Sequence, residues 1–202
     1  MHGAGAAVGA HARRRTHSEV RVIPDHQEVW VDSNDRSIIF EIVEAQSSVS
    51  DAGAPAFFWD DLADANDAKG DGDAQLEASE VIPDTAMPGL PGYAADGGGA
   101  APGGAAPGSV TKLGLVGQQR VAKYREAARN TVRVYMLVLR IPGKGSEVLV
   151  HMNAPLAVDA ASSSAALFPK DAAPEALAAA GLDVMYRLMA TFTVVDWGLF
   201  GA

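Results

Sequence analysis

The stretch "TVRVYMLVLRIPGKGSEVLVHMN", Thr131 to Asn153, decides the fold. Thr131 to Ile141 is rich in β-branched, aromatic and aliphatic residues, interrupted only by Arg133 and Arg140, the pattern of a strong strand. Pro142 to Ser146 is a turn, and Glu147 to Asn153 returns to the strand pattern, so the two runs form an antiparallel hairpin.

Toward the C-terminus, "PEALAAAGLDVMYRLMATF" sets Leu182, Met185, Leu188, Met189 and Phe192 on one helical stripe, with Pro174 suited to a first turn. This helix is expected to cover one sheet face, and "TVVDWGLFGA" to follow as a short extended segment. Toward the N-terminus, "VIPDHQEVWVD", Val22 to Asp32, reads as a turn set by Pro24 and a short strand over Glu28 to Val31. "SIIFEIVE", Ser37 to Glu44, reads as a buried strand ending in charge. "PAFFWDDLADAND", Pro55 to Asp67, carries Phe57, Phe58 and Leu62 at roughly helical spacing. Strands interrupted by helices and closed by a hairpin predict an α+β fold with a mainly antiparallel sheet.

Between the two folded windows the composition changes. Asp60 to Asp84 holds nine acids and one base, Lys69, and Ala86 to Gly108 holds 19 Gly, Ala or Pro among 23 residues. Such segments bury too little apolar surface to offset their ordering entropy, so a disordered insertion is expected at 68–109. Long loops are cheap, at about 0.6 kcal/mol per doubling of length, so the insertion is compatible with one domain over 20–202. Residues 1–19 are expected to be disordered or targeting-like. The first eighteen contain no acid and include Arg13, Arg14 and Arg15, the composition of a transit peptide.

Charge and composition narrow the function. The chain has 202 residues, a net charge of -9 and no cysteine. The negative charge opposes nucleic-acid binding, which needs clustered Lys and Arg. The lack of cysteine removes disulfides, thiolate metal sites and cysteine nucleophiles. No apolar run of 18 residues exists, so no membrane partner is expected.

Catalytic signatures fail one by one. "GKGS" at Gly143 to Ser146 is not a phosphate loop, because position 138 is Val and Gly145 stands where the hydroxyl should be. His2, His11, His17, His26 and His151 make no metalloprotease pair, and no serine-hydrolase elbow is present. Carboxylates are abundant, but 6% aromatic content does not suit a polysaccharide cleft. No catalytic residue, metal or cofactor is therefore assigned. Glu41 and Glu44 would face opposite sides of a regular strand, and a bulge near Val43 would bring both to one rim.

Four separated stretches resemble one family. "VIPDHQEVWVD" with "SIIFEIVE" is similar to the Pro-Asp-x-Gln-Glu-Val segment and acidic-ended strand of the Mog family of Ran guanine nucleotide release factors. "LVGQQRVAKY", Leu115 to Tyr124, resembles the family's Gly-x-Gln-x-x-x-Lys segment. The hairpin with Asn153 to Pro155, and the ending "FTVVDWGLF", complete the order. The family's usual Leu-Phe-Gly-Gly-Ala opening is replaced by the Arg-rich start, so its first strands are expected to be missing and a sheet edge exposed.

The resemblance implies an α/β/α sandwich of the Mog/PsbP-like type. It also implies binding to the small GTPase Ran, release of its guanine nucleotide, and a part in nuclear protein import. Such a protein is a regulator without covalent chemistry, expected as a monomer in nucleus and cytoplasm. Its implied partner-binding residues are Asp25, Gln27, Glu28, Glu41, Glu44 and Lys123, with Glu41 and Glu44 foremost. The competing expectation is a plastid PsbP-like photosystem subunit. A further one is a Ran-binding scaffold that releases no nucleotide.

Overall fold

A computed structural model describes residues 26–90, 110–123, 126–141, 144–196 and 200. Six strands form one antiparallel sheet: β1 (Gln27–Val31), β2 (Ser37–Glu44), β3 (Ala74–Val81), β4 (Thr111–Ala122), β5 (Arg129–Ile141) and β6 (Ser146–Ala157). Their order is β1-β2-β6-β5-β4-β3. Among the described residues the sheet is joined by two α-helices, α1 (Ala54–Ala65) and α2 (Pro174–Thr191). The expected hairpin is β5 and β6, paired from Ile141 with Ser146 to Thr131 with Ala157.

Side chains alternate across a strand, so the central strands feed two cores. Val132, Val134, Met136 and Val138 of β5 pack with Phe58, Trp59 and Leu62 of α1. Tyr135, Leu137, Leu139 and Ile141 pack on the other face with Met185 and Met189 of α2. One helix on each face of a mainly antiparallel sheet is the α/β/α sandwich expected. The α2 stripe is as read, with Leu182, Leu188 and Phe192 partly buried against the same core and Pro174 opening the helix. Gly181 matters there, because a Cβ would stand 2.8 Å from the Tyr135 ring.

In α1 the helical phase differs from the sequence reading. Trp59 is buried and Phe57 is 38% exposed, so the Trp ring takes the core position. The helix ends in a Schellman arrangement: Ala68 N–H donates to Ala63 C=O at 2.8 Å and Asp67 N–H to Asp64 C=O at 3.1 Å. Asp67 supplies the required left-handed residue at φ 52°.

The largest departure lies at 68–109. Ala74–Val81 is β3, the sixth strand, paired with β4, and Met87 and Leu90 are buried in the α2-side core. Three acids of this region are matched by bases distant in sequence. Asp73 meets Arg120 and Arg129, Glu77 meets Arg133, and Asp84 meets the buried Lys112. The composition of the segment alone, with Lys69 as its one base, hides these pairings. The remainder of the expected insertion, 91–109, lies outside the described residues, as do 1–25. Among the described residues, 192–196 form no strand.

Candidate functional site

The candidate site is the β1–β2 ladder at one edge of the sheet among the described residues. Its register is continuous, pairing Gln27 with Glu41, Glu28 with Phe40 and Trp30 with Ile38. β2 pairs β6 residue for residue from Ser37 to Glu44 with no register shift. The bulge considered near Val43 is therefore absent, and Glu41 and Glu44 project from opposite faces. The ladder groups the acids differently from the sequence reading: Gln27 with Glu41 on the α1 side, Glu28 with Glu44 on the α2 side.

On the α1 side Gln27 Nε2 donates to Glu41 Oε1 at 2.8 Å. His26 Nε2 lies 3.3 Å from the same oxygen. The Glu41 side chain is 18% exposed, so this carboxylate is held in place. Gln27 thus ties the start of β1 to β2.

On the α2 side Glu28 and Glu44 are both exposed and flank an apolar surface. Trp30 and Ile42 are 41% and 38% exposed. Trp30 meets Phe40 edge-on at 5.1 Å, and Phe40 stacks on Phe192 at 6.5 Å. Sequence reasoning passed over Trp30 and Ile42 because both lie in strand patterns that look buried. The signal for them was parity, since they share alternate positions with Glu28 and Glu44.

Lys123 stands apart from this ladder. Its Nζ contacts Asp35 at 2.9 Å from Oδ1 and 2.8 Å from Oδ2. Asp35 also accepts from Ser164 Oγ at 2.6 Å and occupies the β1–β2 turn at φ 61°. Lys123 thereby joins the end of β4 to that turn. The other members of its motif are structural too. A Cβ at Gly117 would stand 2.7 Å from Trp59 Cζ2, and buried Gln119 accepts from Asn66 Nδ2 at 2.8 Å. Asp25 lies outside the described residues.

Chemistry is sparse at this ladder. No group of three or more His, Asp or Glu arranged for a metal occurs among the described residues. His151 is buried on β6, where desolvation lowers its pKa to about 4, and its Nδ1 has no hydrogen-bond partner. It is a neutral core group. No described helix is long and apolar enough to cross a membrane.

An antiparallel sheet with one helix on each face, bearing an aromatic patch rimmed by carboxylates, has the form of a protein-binding domain. The model of the family described as Ran-interacting Mog1 protein matches residues 7–155, and the chain belongs to that family. It is 35% identical over 150 residues to the Ran guanine nucleotide release factor of Danio rerio, covering 74% of this chain and 73% of that protein. It is 27% identical over 181 residues to the probable Ran guanine nucleotide release factor of Dictyostelium discoideum, covering 89% and 84%. The crystal structure of the Saccharomyces cerevisiae Ran-binding protein Mog1p superposes with a TM-score of 0.52 at 20% identity, covering 90% of this chain and 86% of that one. These matches favour the Mog assignment over a PsbP-like photosystem subunit.

Proposed function

We propose that this chain binds the small GTPase Ran through the β1–β2 edge and promotes release of its guanine nucleotide, in support of nuclear protein import. The observation that carries this reading is the exposed Trp30–Ile42 surface rimmed by Glu28 and Glu44, on a chain whose relatives are named Ran guanine nucleotide release factors. An apolar centre with a charged rim is how a specific protein contact is built. The rim suits a basic partner surface, as does the net charge of -9.

The mechanism requires no covalent step, and the protein acts as a GTPase regulator. Linkage sets its energetics: a thousandfold weakening of nucleotide binding means that the empty GTPase binds this chain about 4 kcal/mol more tightly. Close charge pairs across an interface couple by about 1.5–7 kcal/mol, so a few such pairs suffice. Glu28 and Glu44 are the direct contacts. Glu41 and Gln27 shape the strand that presents them, and Lys123 braces the β1–β2 turn. The chain acts as a monomer in nucleus and cytoplasm.

The test is release of a fluorescent guanine nucleotide from purified Ran. Wild-type chain accelerates release, and Glu28→Lys with Glu44→Lys abolishes most of the acceleration. Tight binding without acceleration would instead establish a scaffold. Unchanged acceleration in the double variant would remove the edge from the mechanism.

A further inference from the structure

The opposite edge of the sheet carries a second surface. Among the described residues β3 is the terminal strand, paired with β4 on one side only, so its outer backbone groups are available for a further strand. α2 lies over β5 and β6, and among the described residues it leaves the same face of β3 and of Gly114 and Val116 in β4 only partly covered. The result is a cleft of about 270 Å³ between Ala78, Glu80, Gly114 and Val116 of the sheet and Leu182, Met185 and Tyr186 of α2. That volume falls just below the roughly 300–1,000 Å³ of small-molecule pockets. It suits a few side chains presented by a strand better than a whole ligand.

We propose that β3 accepts an extended peptide of a partner protein by strand addition, the peptide carrying alternating apolar residues and a basic residue that meets Glu80. Strand addition takes affinity from main-chain hydrogen bonds and specificity from pockets for alternate side chains. Residues two apart share a face about 6.6–6.8 Å apart, so a strand beside β3 would aim every second side chain at the cleft. Ala78 and Glu80 face that cleft and are exposed.

Charge selects the occupant. Glu77 is occupied by Arg133, leaving Glu80 as the acid over the cleft. A second copy of this edge would set Glu80 against like charge, and the bulge between Leu76 and Ala78 distorts the start of the strand. Both features oppose self-pairing. Beyond the bulge, Ala78 to Val81 keep regular register with β4, so a basic, apolar strand remains admissible. Five interstrand spacings of about 4.8 Å separate β3 from β1, roughly 24 Å, so both surfaces can be engaged together.

The probe is a blocked eight-residue peptide alternating valine and threonine with one arginine, titrated into the full chain. Anisotropy and amide hydrogen exchange are followed together. Saturable binding with slowed exchange at β3 amides is expected. Binding should be lost when the peptide backbone is N-methylated, and weakened about tenfold by Glu80→Lys or by Ala78→Arg, both exposed positions. Absence of saturable binding would overturn the proposal, as would binding indifferent to both substitutions. So would protection, in the free chain, of the outward-facing β3 amides that β4 does not bond, either within the monomer or through concentration-dependent dimers.

Discussion

Gln27 sits directly across the β1–β2 ladder from Glu41 and donates its side-chain amide to that carboxylate at 2.8 Å. One step along the strand, Glu28 turns to the opposite face beside the Trp30–Phe40 pair. Adjacent residues of one motif therefore have separable duties. Gln27→Ala should lower stability by about 1 kcal/mol, the usual worth of one hydrogen bond, and change Ran-dependent nucleotide release little. Glu28→Lys should do the reverse. Urea unfolding and the release assay, run on both variants, decide this; loss of release in Gln27→Ala alone would reverse the roles.

Gly117 is required by a ring. The Trp59 indole lies over it, and the Gln75 carbonyl closes the other side. Gly117→Ala should cost about 1–3 kcal/mol, the usual penalty of overpacking a dense core. Pairing it with Trp59→Leu should recover part of that loss, since the two sites share one contact. Additive losses in chemical denaturation would show that the indole is not the obstacle.

The sheet and its helices were legible because their signals are local. β5 feeds two cores, so Val134 to Leu139 is apolar at every position; Pro174 and the Met185–Met189 stripe announce α2. β3 was not legible, because "AQLEASEV" has small residues and acids whose neutralising partner Arg133 lies on β5. The site was legible in its residues but not in their grouping. Which acids share a face depends on the unbroken β2–β6 register, and no sequence feature excluded a bulge. Lys123 carried a motif-based expectation of contact, whereas its Asp35 partner comes from a turn 88 positions away.

His151 makes stability depend on pH. Burial holds the folded-state pKa to about 4, against about 6.5 in an unfolded chain. Between these values the unfolded chain takes up a proton that the folded chain refuses, so stability falls as pH drops below about 6.5 and the effect levels off below about 4. From pH 7 to 5 the contribution is about 2 kcal/mol. His151→Met, which cannot titrate, should lack this portion of the acid sensitivity while keeping that of the carboxylates. Equal pH dependence of the urea midpoint in both proteins would show that His151 does not contribute.

Arg140 organises the loop that leads from the candidate contact strand into α1. Its Nε donates to buried Glu147 at 2.8 Å and its Nη1 to Asp51 at 2.6 Å. Its Nη2 reaches the carbonyls of Gln46 and Val49 at 3.0 and 2.8 Å. Glu147 is 2% exposed at its side chain, so Arg140→Ala would strand a carboxylate in the core and should cost about 3–5 kcal/mol. Arg140→Met with Glu147→Leu removes both charges and should restore most of the stability, because the penalty lies in the unpaired ion rather than in the lost attraction. The loop carbonyls of Gln46 and Val49 remain unclamped in that double variant. Residues 45–51 should therefore exchange amide hydrogens faster and be cut more readily by protease, although the core is sound. If the double variant is as unstable as Arg140→Ala, the carbonyl clamp rather than the buried charge holds this part of the fold together.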